Sequence, residues 1–457
     1  MNGTGLSAAL AKMREARVPE PAVRTFERNY RRLVAGETGL VPESSIVASD
    51  SEPVDTSTLT PEAATRALDN TVVIKLNGGL GTSMGINKAK SLLTAKDDWT
   101  FLDVIVRQVL QLRRRHDVRL PLMFMNSFRT RADTLAALAA YPVRHDDLPL
   151  DFLQTREPRL RADDLTPLTW EADPSLEWCP PGHGDFYGVL HASGLLEQMI
   201  GHGFDRVFVS NADNLGAVPT ATMAGWFAAS GAPFAIEAVR RTASDRKGGH
   251  FARRKSDGRL VLRETAQTAP EDHQALADLD RHRFASTNNI WIDLRALRTL
   301  LDEADGALRL PFICNRKSAD PADPSSPRVV QIESAIGAAI ENFEGARTVE
   351  VSRSRFIPVK TTDDLLVLRS DCYTLTDDFI LEPAFEALPF VELGPVYKQP
   401  WELDRRFPWG APGLRQATAL RVAGDWTFGR GVRIVGACTL DEVGGTVPDR
   451  AVLGSAR

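Results

Sequence analysis

The sequence predicts an α/β protein with a mostly parallel sheet and a small C-terminal β domain, and three observations carry that reading. First, the apolar runs Val72-Val73-Ile74-Lys75-Leu76, Leu122-Met123-Phe124-Met125 and Val207-Phe208-Val209-Ser210 each lead into a polar or glycine-rich segment. Strand, loop and helix in repetition is the pattern of a parallel sheet. Second, those polar segments fall beyond the carboxyl ends of the strands, where open α/β sheets hold ligands. Third, after about residue 385 the chain turns to short alternating pieces separated by glycine: Trp426-Thr427-Phe428, Val432-Arg433-Ile434 and Cys438-Thr439-Leu440. Their spacing of about six residues suggests coils of a parallel β-helix, with an ordinary small β-sheet as the alternative.

The elements follow in order. Residues 1–40 read as helices, because Val23, Phe26, Tyr30 and Leu33 share one helical face. A connector rich in Ser, Pro, Asp and Thr runs from Pro42 to Thr60. Thr60-Pro61-Glu62 then supplies an N-cap, a first-turn proline and a first-turn acid. The expected division is a helical segment and linker over 1–65, a catalytic domain over 66–384 and the C-terminal domain over 385–457.

Composition narrows the function. The 457 residues exceed the usual span of one domain, and 43% hydrophobic residues can fill a large core. A net charge of −5 argues against affinity resting on a basic surface, so no nucleic-acid partner is expected. No apolar run approaches the roughly 18–20 residues of a membrane span, and no secretory core is visible. Cys179, Cys314, Cys372 and Cys438 are widely spaced and form no CxxC pair, which indicates neither a zinc ribbon nor a disulfide framework. The expected compartment is the cytoplasm, with reduced thiols and no membrane partner.

The chemistry gathers in three segments. Lys75-Leu76-Asn77-Gly78-Gly79-Leu80-Gly81-Thr82-Ser83-Met84-Gly85 lets the backbone approach a ligand and aim several N–H groups at it, as phosphates require. A tight structural turn is the other reading. A P-loop is excluded, since Met84 and Ile86 stand where Gly-Lys-Ser/Thr would have to begin; Met84 also replaces the third glycine of the dinucleotide fingerprint. Pro180-Pro181-Gly182-His183-Gly184-Asp185 precedes a helical stretch and offers both close backbone approach and a donor, His183, with a structural loop histidine as the equal alternative. Ser210-Asn211-Ala212-Asp213-Asn214-Leu215-Gly216 follows a strand, so Asp213 suits Mg²⁺, unless it only caps a turn. Further on, Asn288, Asn289 and Glu333 suit sugar hydroxyls, and Lys360 adds a cation, although taken singly each is more readily read as structural. No Ser/His/Asp or Cys/His nucleophile arrangement is marked.

Taken together, the chain resembles the eukaryotic-type UTP–glucose-1-phosphate uridylyltransferase family. The likeness rests on the three segments above and on Met-Asn-Ser-Phe at 125–128, Thr-Asn-Asn-Ile-Trp at 287–291 and Arg-Ser-Arg-Phe-Ile-Pro-Val-Lys-Thr-Thr at 353–362, in family order. It implies a nucleotide-diphosphosugar transferase sheet domain with a left-handed β-helix at the C-terminus, and the reaction of UTP with glucose-1-phosphate. By motif position, Leu76, Asn77, Gly78 and Gly79 would hold the uracil end of UTP, which Gln154 would read with help from Gly182. His183, Asn211 and Ala212 would meet the sugar phosphate, and Asn288, Asn289 and Glu333 the sugar. Asp213 would place Mg²⁺, with Lys90 and Lys360 bracketing the phosphates.

Two departures stand out. Asn87-Lys88-Ala89-Lys90-Ser91 replaces a common Lys-Gly-Pro-Lys-Ser, keeping its last lysine. The chain also stops soon after Leu453, so a monomer or a weak homo-oligomer is expected. The competing readings are a uridylyltransferase for another sugar-1-phosphate and a non-catalytic sugar-nucleotide binder.

Overall fold

The structure is a computed structural model that describes residues 2–454 apart from 80, 82–83, 87, 145–147, 243–244, 246–247, 321–322 and 386. Leu80, Thr82, Ser83 and Asn87, part of the glycine-loop reading, lie outside the described residues.

Apolar runs become the middle of a large sheet. Its main path places Glu52–Pro53, Arg347–Glu350, Phe234–Arg240, Phe284–Asp293, Arg206–Asn211, Thr71–Asn77, Leu122–Asn126 and Asp151–Leu153 side by side in that order. Neighbours are parallel except the two pairs made by Phe284–Asp293. Every residue of Thr71–Asn77 is buried, as a strand covered on both faces requires. Alternation then sorts its side chains: Val73 joins one core with Phe124, Phe208 and Trp291, while Val72 and Ile74 join another with Met123, Val207 and Ile290. Helices Phe101–His116 and Ala221–Ser230 help cover the first face, and Phe186–Ala192 and Leu294–Glu303 the second.

The N-terminal helices are Asn2–Glu15 and Glu20–Val34. Val23, Phe26 and Tyr30 are buried, and Leu33 packs beside them against Leu160, Phe312, Val330 and Ile332. Thr60 caps Pro61–Asp69 as expected, its Oγ1 accepting the Ala63 N–H at 3.2 Å. The connector before it is more ordered than its composition suggests. Ile46–Ala48 pairs antiparallel with His250–Arg254, and Glu52–Pro53 forms the parallel edge of the main path. Pro53 is tolerated there because an edge strand has a side with no ladder to complete.

At the C-terminus, Phe390–Leu393, Gly413–Val422, Arg433–Leu440 and Val452–Leu453 stack as one parallel face. Trp426–Phe428 and Gly445–Val447 pair parallel on a second. These are coils of a parallel β-helix, but the expected pieces need correcting. The 432–434 and 438–440 segments belong largely to a single strand, Arg433–Leu440, bent at Gly436 where φ is +64°. One coil runs from Trp426 to Gly445 or from Arg433 to Val452, far longer than the six-residue spacing. Leu414, Leu420, Phe428 and Ile434 continue the core that covers one face of the main sheet. All four cysteines are free thiols, and no helix among the described residues is long and apolar enough to cross a membrane.

Candidate active site

Three parallel strands, Thr71–Asn77, Leu122–Asn126 and Arg206–Asn211, deliver their carboxyl ends to one cavity of about 280 Å³. Leu76, Asn77, Gly78, Gly79, Lys90, Gln154, Gly182, His183, Asn211, Ala212 and Asp213 all line it. Asn288, Asn289, Glu333 and Lys360 are not among the lining residues.

At one end, Gly78 lies against Gln154. A Cβ on Gly78 would fall 2.7 Å from Gln154 Nε2, so a larger residue there would displace the Gln154 amide. Gln154 is set in place by its own N–H, which donates to Asn126 O at 2.9 Å. Asn77 turns its amide inward, donating to Asn126 Oδ1 at 2.8 Å and Thr134 Oγ1 at 2.9 Å. Asn126 donates in turn to Asp151, which Arg131 holds at 2.8 Å. The Asn77 side chain is thus committed to the frame below, which leaves its backbone to face the cavity.

Opposite stands the Pro180–Asp185 turn. Gly182 has φ +83°, and a Cβ there would sit 2.5 Å from Ser334 O. That contact brings the turn against the end of strand Asp323–Ser334, beside Glu333, whose carboxylate is 3.9 Å from Lys317. His183 Nδ1 accepts the Ile336 N–H at 2.8 Å, which assigns the ring proton to Nε2. One edge of the ring reaches the cavity, while desolvation of the rest pushes its pKa down to about 4 against the pull of Asp213. His183 is a neutral donor. Behind it Asp185 accepts the Thr155 N–H at 2.5 Å, and burial raises its pKa to about 6.

The cations converge in part. Lys90, in the short turn Lys90–Leu92, places Nζ 2.7 Å from Asp213 Oδ2 and also donates to Val359 O. Val359 N–H donates to Asp213 O at 3.2 Å. Lys360 follows at once, but its side chain is exposed, and its charge partly offsets the burial of Glu264. Its N–H donates to Asp364 at the start of helix Thr362–Arg369. The backbone of Lys360 thus borders the Lys90–Asp213 pair, whereas its side chain is exposed.

The two asparagines on Phe284–Asp293 part company. Register slips between Ile236 and Ala238, where three residues of that strand oppose Glu237 alone. Asn288 takes φ +57° in this bulge and donates to Asn211 Oδ1 at 2.9 Å. Asn289 is fully buried, donating to Glu237 at 2.9 Å and Arg355 O at 3.2 Å. Its amide belongs to the core.

That core holds residues the sequence reading passed over. Glu237 is enclosed and accepts from Arg355 at 2.5 and 2.7 Å and from Trp291 Nε1 at 3.0 Å. Lys75 is equally enclosed, and Asn214 Oδ1 accepts the N–H groups of Ile357 and Gly216. A signal for both charged groups was present: one Lys and one Glu, each alone in an apolar strand, must find buried partners.

A profile of the family described as UTP–glucose-1-phosphate uridylyltransferase matches residues 23–435. The chain belongs to that family. The UTP–glucose-1-phosphate uridylyltransferase of Hordeum vulgare is 36% identical, over 98% of this chain and 95% of that protein. The Saccharomyces cerevisiae enzyme is 37% identical over 81% of this chain and 73% of its own length. The crystal structure of a Trypanosoma brucei UDP-glucose phosphorylase superposes with a TM-score of 0.93 at 40% identity, covering 99% of this chain and 98% of that one. A Leishmania major UDP-glucose pyrophosphorylase mutant, solved in complex with UDP-glucose, gives 0.92 at 39%, with the same coverage. The enzyme is a UTP–glucose-1-phosphate uridylyltransferase, a nucleotidyltransferase that makes UDP-glucose.

Proposed function

We propose that this uridylyltransferase joins its substrates by direct in-line attack, in the cavity where Lys90 meets Asp213. A phosphate oxygen of glucose-1-phosphate forms the new bond to the α-phosphorus of UTP, and the bond to the pyrophosphate oxygen breaks. The attacking oxygen is already an anion, so no strong base is required. The barrier lies in holding two polyanions together and in line.

The residues divide that task. Backbone at Leu76–Gly79, with Gln154 and Gly182, holds the uracil end. His183, a neutral donor at Nε2, meets the sugar phosphate alongside Asn211 and Ala212. Asn288 reaches the sugar through its contact with Asn211, and Glu333 approaches it from behind Gly182. Asp213 would hold Mg²⁺, since a carboxylate at a strand end with substrate phosphates beside it is that ion's usual donor set. Mg²⁺, when bound, neutralises phosphate charge and stabilises the departing pyrophosphate. Lys90 shields the same charge from the protein side. Lys360, on an exposed stem next to Val359, reaches the phosphates when substrates bind.

The observation that carries this reading is the Lys90–Asp213 contact of 2.7 Å within the glycine-loop cavity. Pyrophosphate release from UTP, Mg²⁺ and a panel of sugar-1-phosphates tests it, with glucose-1-phosphate the expected best substrate. A stronger response to galactose-1-phosphate or an N-acetylhexosamine-1-phosphate would reassign the sugar. Lys360→Ala should lower turnover by about 10²–10³, the usual loss for one preorganised charge-stabilising donor. Near-normal turnover would remove Lys360 from the reaction.

A further inference from the structure

Lys75 takes no part in the chemistry described above, yet it lies directly under the site. Its side chain is 1% exposed. Nζ donates to Ser210 Oγ at 2.8 Å and to Ala217 O at 2.8 Å. Those acceptors bound the turn that carries Asn211, Ala212 and Asp213, one at its entry and one at its exit. Ser210 is itself fully enclosed, and its strand is already in register beside Lys75. The lysine therefore closes the turn across its base.

The charges around it fit that task. Glu237 is paired with Arg355, and its pull on a cation at Lys75 is outweighed by burial and by the repulsion from Arg355. Burial and that repulsion bring the Lys75 pKa down to about 7. A neutral amine has two N–H donors, and two acceptors are in place. A methionine would fill the same space with none of this desolvation, so volume alone does not account for a lysine.

We propose that Lys75 is a positioning residue: by bridging Ser210 and Ala217 it fixes the height at which Asp213 meets a divalent cation and the substrate phosphates. The inference rests on the reading of Asp213 as the carboxylate that holds the cation. Lys75 touches neither substrate nor metal and acts only through the turn.

The test compares wild type, Lys75→Met, Ser210→Ala and Asp213→Asn in pyrophosphate release, titrating Mg²⁺ and UTP separately and recording melting curves. Lys75→Met should need about 10-fold more Mg²⁺ for half-maximal turnover and lose about 10–100-fold in kcat, the range for groups that orient a metal ligand. Its KM for UTP at saturating Mg²⁺ should stay within about two-fold, because the uracil end is held elsewhere. Ser210→Ala should move Mg²⁺ dependence the same way by a smaller factor, and it decides the matter if Lys75→Met does not melt cooperatively. A lowered melting temperature with unchanged Mg²⁺ dependence in these variants would overturn the proposal and leave Lys75 a packing residue. If Asp213→Asn keeps wild-type Mg²⁺ dependence, the reading of Asp213 fails first, and the role given to Lys75 falls with it.

Discussion

A lysine enclosed on every side must find partners for three hydrogens or give one up, and Lys75 has two acceptors. Its folded pKa, about 7, lies below the ordinary 10.5. Above pH 10.5 the group is neutral in both states and carries no penalty. As pH falls from 10.5 toward 7, the unfolded chain binds a proton that the folded chain refuses. Stability therefore drops by about 1.4 kcal/mol per pH unit across that window and is level below it. Methionine titrates nowhere, so the stability of Lys75→Met relative to wild type should rise by about that slope between pH 9 and pH 8. Denaturant unfolding at the two values measures it; a constant difference would mean that the lysine stays charged in the fold. At this scale the sequence was legible where a residue faces the cavity through its own motif, as with Gln154, His183 and Asp213. For Glu237 and Lys75 the sequence signalled a need for buried partners but not which ones, because those partners come from segments far apart in the chain. Asn288 and Asn289 look equivalent in sequence, and only the bulge opposite Glu237 separates them.

Elements differ in how plainly they announce themselves. Thr71–Asn77 and Arg206–Asn211 could be read within a residue, because a strand buried on both faces is a continuous apolar run. The two- and three-residue strands of the 42–60 connector are too short to carry any period, and their partners lie near 250 and 350. The β-helix was visible as a change of pattern, but its coil length was not, since a bend at Gly436 splits one strand into apparent pieces. The Pro180–Asp185 turn illustrates an element fixed by one residue. Gly182 combines φ +83° with a backbone oxygen 2.5 Å from the position of a Cβ. Gly182→Ala should destabilise the protein by about 1–3 kcal/mol, the usual strain of such a conformation, and should raise KM for UTP by moving the turn. A melting temperature and KM equal to wild type would show that the turn can relax at no loss.

Across the whole molecule, function depends on a convergence that no single segment encodes. Lys90 comes from the turn after the glycine loop, Asp213 from a strand end, and Val359 from a segment well over a hundred residues later. They meet because the parallel strands share one carboxyl edge and because the 353–362 segment returns across it, with Val359 bonded to both Asp213 and Lys90. Family order of the motifs pointed to this gathering, while the outward course of the Lys360 side chain came only from the folded chain. The β-helix and the main sheet share one core, so the site rests on packing that spans both. The most direct test of the account is pyrophosphate release by Lys90→Met at saturating UTP, glucose-1-phosphate and Mg²⁺. Turnover should fall by about 10²–10³ in a protein that still melts cooperatively. Turnover within about two-fold of wild type would contradict the claim that the reaction takes place where Lys90 and Asp213 meet.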